Sequence, residues 1–225
     1  MKPALRIVLA SALLTCCTAM VSAQDAPSQD SGAKKDAPKS QRAARGGAKA
    51  ESGGAKIGEP APSFTLKTSD GKDWVLADSL GKVVVLEWVN PGCPVCRRVM
   101  SDGTVANSIK GAKEQFADVV YVAINSSVSD TKSFDDTAAH LKDNKIEIPA
   151  LFDRDGKVGK MFGARTTPHC FVIDAKGVLV YKGAIDNSQS GDGKTNYVVQ
   201  AVTQLKKGES VAPSETKPFG CGIKY

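Results

Sequence analysis

An α/β layer fold, with a central sheet carrying helices on both faces, is predicted for this chain of 225 residues by three observations. Compact apolar runs occur at KVVVLEWVN (residues 82–90), VVYVAIN (119–125) and HCFVID (169–174), each with few exposed positions, as suits a strand covered on both faces. Helix-compatible stretches, residues 94–116 and 133–144, separate these runs. Turn signals then mark hairpins at both ends of the series.

The elements follow in order. SFTLKTSDGKDWVL (63–76) places an Asp70-Gly71 turn between two short strand candidates. The strand at 82–90, the helix at 94–116, the strand at 119–125 and the helix at 133–144 come next. HCFVID pairs with VLVYKG (178–183) across Ala175-Lys176-Gly177, a short turn containing glycine, and residues 196–207 form a closing helix. In open α/β sheets, ligands and reactive groups gather where a strand ends and a helix begins.

Ahead of this domain the composition changes twice. Lys2 and Arg6 flank the start of an apolar run (7–14), and Val21-Ser22-Ala23 supplies small residues before Gln24, so residues 1–23 read as a cleavable secretory signal peptide. The run is too short for a membrane span. Cys16 and Cys17 raise a lipoprotein alternative, for which Thr15 is a poor match. Residues 24–55 hold no aromatic and no large apolar side chain; they cannot bury enough surface to offset ordering entropy and read as a disordered tether. Residues 56–225 are then one domain with enough chain for a sizeable core. The leader implies export, to the periplasm or cell envelope.

The formal net charge of +6 divides unevenly, because residues 1–55 hold eight Lys or Arg against four Asp or Glu. The excess sits mainly in the leader and tether, which gives nucleic-acid binding little support. SGDGKTN (190–196) has the wrong spacing for a nucleotide loop, and no organic cofactor is implied.

Four cysteines lie beyond the leader: Cys93, Cys96, Cys170 and Cys221. A zinc site needs two close pairs, or one pair with a close histidine, and the only histidines are His140 and His169. A structural C-x-x-C disulfide would constrain little of the unfolded chain. EWVNPGCPVCRRVM (87–100) instead sets Cys93 after a strand and at the mouth of a helix. Unpaired N–H groups and the positive dipole end there favour thiolate over thiol. Pro94 fits the first helical turn. Arg97 and Arg98 either add positive charge or form an ordinary solvated face. Cys93 then reads as the attacking thiol of a disulfide exchange and Cys96 as the thiol that resolves the mixed disulfide.

Strand-CPVC-helix, together with GARTTPHCFVID (163–174), resembles the thioredoxin superfamily, in particular its extracytoplasmic redoxin branch with AhpC/TSA-like domains. The resemblance spans residues 57–225 and implies a thioredoxin-like fold with a central mixed sheet flanked by helices. It implies a thiol-disulfide oxidoreductase acting on protein disulfides or dithiols, with a further redox partner. Pro168 after Thr167 matches the cis-proline that stacks on the active dithiol, which puts Thr167 and His169 at the substrate groove. Glu87, six residues before Cys93, matches a buried acid beneath the dithiol. Strand alternation sets it on the face of Val83, Val85 and Val89, where desolvation would raise its pKa and suit it to accept the proton of Cys96.

Two alternatives accompany that reading. Peroxiredoxins share the fold, but they carry Thr or Ser where this chain has Asn90, Pro where it has Leu86, and Arg where it has Pro168. A copper carrier would use Cys93, Cys96 and His169 as ligands, although copper-delivery relatives space their cysteines one residue wider. His169 beside the dithiol would, as an imidazolium, lower the thiolate pKa. Cys221, between two glycines in PFGCGIKY (218–225), is a further redox candidate, as a second partner for Cys93 or a partner for Cys170. Cys170 itself reads as a small core hydrophobe.

Overall fold

The computed structural model describes residues 54–130 and 132–225. The signal peptide and all but the end of the tether lie outside the described residues. At that end, Ala55 is buried, its amide donates to the Phe162 carbonyl (3.3 Å), and its own carbonyl accepts from Lys182 Nζ (3.2 Å). The folded domain therefore includes Ala55.

Seven strands form one mixed sheet. In chain order they are β1 (Thr65–Thr68), β2 (Asp73–Val75), β3 (Val84–Trp88), β4 (Val120–Asn125), β5 (Ala150–Phe152), β7 (His169–Ile173) and β8 (Leu179–Gly183), arranged β2-β1-β5-β4-β3-β7-β8. β3, β4 and β5 run parallel, while β1 with β2, β1 with β5, β3 with β7 and β7 with β8 are antiparallel. A separate two-stranded ladder pairs β6 (Thr166–Thr167) with β9 (Cys221–Gly222). The helices are α1 (Pro94–Ser101), α2 (Thr104–Gln115), α3 (Lys132–Asp143), α4 (Lys157–Phe162) and α5 (Tyr197–Lys206).

Strand alternation divides the core into two layers. Val83, Val85, Val89, Tyr121, Ala123, Cys170 and Val172 face one side, where α1, α2, α3 and α5 supply Val99, Ile109, Phe134 and Val202. Val84, Leu86, Trp88, Val122, Ile124, Phe171 and Ile173 face the other, under Val158 and Phe162 of α4. β3 is buried at all five positions, because it is bonded on both edges and covered on both faces.

Several elements differ from the sequence expectation. The helix expected over 94–116 is two helices, broken where Gly103 adopts φ +85° after Asp102. The Ser-Asp-Gly-Thr string there is a stop-and-restart signal. β5 and α4 were not expected at all. Three residues and a six-residue helix containing Gly159 are too short to show a period, and only burial against their neighbours defines them. β6 and β9 are likewise invisible to pattern, since each has two residues. The hairpin at Gly71 (φ +82°), the hairpin at Gly177 (φ +82°) and the closing helix match their expected places.

The loops at the C-terminal ends of β3 and β4 are held by polar contacts. Asn125 Nδ2 donates to Ser133 Oγ and Thr137 Oγ1 at 3.0 Å each, and its Oδ1 accepts from the Ser127 amide at 2.9 Å. Ser127 Oγ in turn accepts from Asn90 Nδ2 (2.7 Å), while Asn90 Oδ1 accepts from the Gly92 amide (2.6 Å). Asn90 thereby shapes the turn that delivers Cys93. Beneath the sheet, Phe171 meets Trp88 and Phe162 edge-on at 4.9 and 5.6 Å between ring centres. Phe171→Ala should therefore destabilise the fold by about 3–5 kcal/mol in urea unfolding, through lost burial plus an unfilled cavity.

Candidate active site

Cys93 is the N-cap of α1, in extended conformation (φ −83°, ψ 120°), with Pro94 opening the helix. Its carbonyl accepts from the Arg97 amide (3.0 Å), and its own amide donates to the Asn90 carbonyl (3.0 Å). Its residue is 2 % exposed, and Cys96, one turn on, is fully buried. All four described cysteines are free thiols. The protonated Cys93 thiol donates to the Thr167 carbonyl at 3.1 Å. The Thr167–Pro168 bond is cis, the isomer that the resemblance implied.

The two thiols are strongly unequal. Hydrogen bonding from the Cys96 thiol, then from Cys221, the Cys96 amide and the Thr167 side chain, outweighs desolvation and holds the Cys93 pKa down to about 4. The Cys96 amide is one of the unpaired N–H groups of the first helical turn, so the expected helix-mouth effect is present alongside a larger thiol contribution. Burial pushes Cys96 well above 9, reinforced by the hydrogen bond and negative charge of Cys93 and by Glu87.

Glu87 is fully buried on the face expected for it, opposite Cys170 on β7. Tyr121 Oη donates to its Oε2 at 2.7 Å, while Oε1 is buried without a hydrogen-bond partner among the described residues. Desolvation raises its pKa to about 7, against the lowering effect of Tyr121. Tyr121 was not singled out in the sequence. A Tyr at strand period in β4 looks like core, and only the parallel register of β3 with β4 aims it at the acid.

Other expectations are corrected. His169 does not face the dithiol: it pairs with Trp88 in the sheet, and its ring lies 4.5 Å from that of Phe171, on the opposite layer from Cys93 and Cys96. Period-two alternation along β7 dictates this. Desolvation and the Lys182 and Arg165 charges press its pKa down to about 3, and Nδ1 accepts from the Arg165 amide (3.2 Å), so the ring is neutral and provides no imidazolium. On that face it is not placed to share a copper ion with Cys93 and Cys96. Thr167 lies beside Cys93, whose thiol its carbonyl accepts, but it is 2 % exposed and paired with the tail strand β9. Cys221 sits in register with Thr167 and packs against the cluster containing Cys93. Cys170 is fully buried at the sheet position opposite Glu87, as a core hydrophobe would be. Arg97 and Arg98 are exposed, and Arg98 bridges Asp102 (3.2 Å), as on a solvated helix face.

The fold, with its mixed sheet flanked by helices, is that of a redoxin domain of the thioredoxin superfamily. A family model described as AhpC/TSA family matches residues 57–182, more than half of the chain, and the chain belongs to that family. It is 34% identical over 140 residues to the thiol:disulfide interchange protein DsbE of Pseudomonas fluorescens biotype C, covering 58% of this chain and 68% of DsbE. It is 28% identical over 126 residues to the thioredoxin-like protein YneN of Bacillus subtilis (strain 168), covering 56% of this chain and 70% of YneN. Among solved structures, a hypothetical protein of Sinorhizobium meliloti 1021 superposes with a TM-score of 0.63 at 26% identity, covering 79% of this chain and 98% of that one. These likenesses place the chain among thioredoxin-like redox proteins. No helix among the described residues is long and apolar enough to cross a membrane.

The buried acid makes stability depend on pH. Below its ordinary pKa of 4.5, Glu87 is protonated whether the chain is folded or not, and burial costs no ionisation. As pH rises towards 7 the unfolded chain releases this proton first, so the folded state loses stability, and the loss levels off above 7. Glu87→Gln removes the effect. In denaturant titrations of the reduced protein the variant should be more stable than wild type by about 3 kcal/mol at pH 8, with the difference closing below pH 4.5.

Proposed function

We propose that this protein is an exported thiol-disulfide oxidoreductase that exchanges disulfides with protein substrates through Cys93 and Cys96. The observation that carries this reading is the placement of Cys93 at a helix N-terminus, bonded to the residue before a cis-proline, with a buried Cys96 thiol beside it. Similarity to proteins named thiol:disulfide interchange protein and thioredoxin-like protein supports it. The leader-like residues 1–23 support export, and the residues from Ala55 onward are the proposed catalytic domain.

In the reductive direction the Cys93 thiolate attacks one sulfur of a substrate disulfide. A Cys93-substrate disulfide forms, and the other substrate sulfur leaves as a thiolate. Cys96 then gives up its proton and attacks Cys93 Sγ, releasing the second substrate sulfur and closing Cys93–Cys96. Two electrons pass to the substrate. The reverse sequence oxidises a substrate dithiol, and a separate redox partner resets the pair. Thiolate is the reactive form of Cys93 at neutral pH, whereas Cys96 must be deprotonated on demand. Glu87, in its carboxylate form beneath Cys96, is the proton acceptor, and a pKa of about 7 suits that task. Pro168 and Thr167 shape the edge along which substrate approaches. The Asn90, Leu86 and Pro168 departures weigh against a dedicated peroxidase, although any thiolate of low pKa reacts with peroxide.

A redox titration of residues 24–225, read by differential thiol labelling, should show Cys93–Cys96 in equilibrium at a potential well above about −300 mV. A pair that stays oxidised below that value is a structural bond and ends the proposal. Glu87→Gln should slow the resolving step roughly 10²-fold at pH 7 and erase its pH inflection, while leaving the alkylation rate of Cys93 within about twofold of wild type. Identical pH profiles for the two proteins would exclude the proton-acceptor role.

A further inference from the structure

The C-terminal residues occupy the edge that a substrate needs. β6 has one strand partner among the described residues, the two-residue β9, in antiparallel register with Thr166 opposite Gly222 and Thr167 opposite Cys221. Thr167 is also the residue whose carbonyl accepts the Cys93 thiol. A sulfur carried on a strand beside Thr167 is thereby presented to Cys93. The chain's own Cys221 is already there: it packs partly buried against the cluster formed around Cys93 and Cys96, at the strand position opposite Thr167.

Contacts on the C-terminal side of Cys221 hold it in place. The Ile223 amide donates to the Arg165 carbonyl (3.0 Å), the Ser129 amide and hydroxyl both donate to the Lys224 carbonyl (3.2 Å each), and Tyr225 Oη donates to the Ala164 carbonyl (2.8 Å). The Tyr225 ring covers Gly156 and Gly159, where added Cβ atoms would collide with it. On the other side, Phe219 packs against the same core layer as Cys221. Gly220 adopts φ +125°, and a Cβ there would run into the Thr167 carbonyl and approach Pro168. Glycine is what lets the tail approach this closely. The ladder itself is only two residues long, so it can open locally at low cost.

We propose that this tail is a built-in occupant of the substrate edge whose Cys221 exchanges with Cys93, giving the protein a second, Cys93–Cys221, disulfide state. This deepens the oxidoreductase reading and rests on it. The exchange needs no external oxidant: the Cys221 thiolate attacks Cys93 Sγ of the Cys93–Cys96 disulfide, the Cys93–Cys221 bond forms, and Cys96 leaves with the electron pair and takes up a proton. The proton lost by Cys221 balances the one gained by Cys96. The result moves the oxidised bond from a fully buried sulfur to one that is half-buried, where an external redox partner can reach it. It also makes Cys221 a competitor of protein substrates for Cys93, at the high effective concentration of an intramolecular group.

The test uses the chain from residue 24 to 225. Reduced Cys96→Ser is mixed with glutathione disulfide, quenched in acid and mapped by mass spectrometry. Release of glutathione with formation of Cys93–Cys221, at least tenfold over the Cys93-glutathione adduct, is the expected result. A persistent adduct with a freely alkylated Cys221 overturns the proposal. Wild type provides a second reading that does not depend on the buried substitution. Acid-trapped, partly oxidised wild type should contain both Cys93–Cys96 and Cys93–Cys221, and Gly220→Ala, which forces the tail off Thr167, should cut the second at least fivefold while sparing the first. Cys93–Cys96 alone in wild type overturns the tail exchange and leaves the oxidoreductase reading standing. If Cys93 forms neither pair and does not react with disulfides, both fail.

Discussion

The double pairing of β3, parallel to β4 and antiparallel to β7, is the constraint on which the site depends. A strand bonded on both edges cannot slip by one residue without turning every side chain to the wrong face. That register sends Glu87 into the helix-covered layer with Tyr121 and Cys170, and sends Trp88 into the aromatic layer with Phe162 and Phe171. It also decides where β3 ends, and so where Asn90 turns the chain and α1 begins. The same alternation on β7 aims Cys170 towards the acid and His169 away from the dithiol.

The proposed dithiol rests on a contrast between two neighbouring sulfurs. Hydrogen bonds from the Cys96 thiol, the Cys221 thiol, a first-turn amide and Thr167 keep Cys93 ionised at neutral pH. Burial does the opposite for Cys96, and the negative charge of its neighbours adds to the effect. In the proposed exchange, nucleophile and resolver are thus assigned by solvation and hydrogen bonding, since both side chains are chemically the same. An acid near pKa 7 in the same layer is matched to neutral pH for the proton-acceptor role proposed for it.

In the proposed tail exchange, the tail adds a second layer of control at low structural cost. Its strand has only two residues, yet contacts from Ile223, Lys224 and Tyr225 tie it to two separate segments, Ala164-Arg165 and Ser129. Such an edge is ordered in the resting protein and still able to open for a competing strand. Under that proposal, access to Cys93 and the fate of its disulfide depend on one segment.

Much of the fold was legible because its central strands are long enough to show unbroken apolar runs and its hairpins carry Asp-Gly or Lys-Gly turns. The dithiol was legible because spacing, a preceding strand and a following Pro94 are all local properties of the chain. Glu87 was placed correctly by counting along β3, since alternation is local as well. What the sequence could not decide were the contacts that join distant segments. β5, α4, β6 and β9 are too short to carry a period and exist through burial and pairing with remote partners. Tyr121 meets Glu87 through inter-strand register, and Cys221 reaches Thr167 and Cys93 through a ladder closed across more than fifty residues. His169 shows the same limit from the other side: adjacency to Pro168 suggested nearness to the dithiol, whereas the sheet assigned neighbouring residues of β7 to opposite faces. Local chemistry sets what each residue can do, and long-range pairing decides which residues meet.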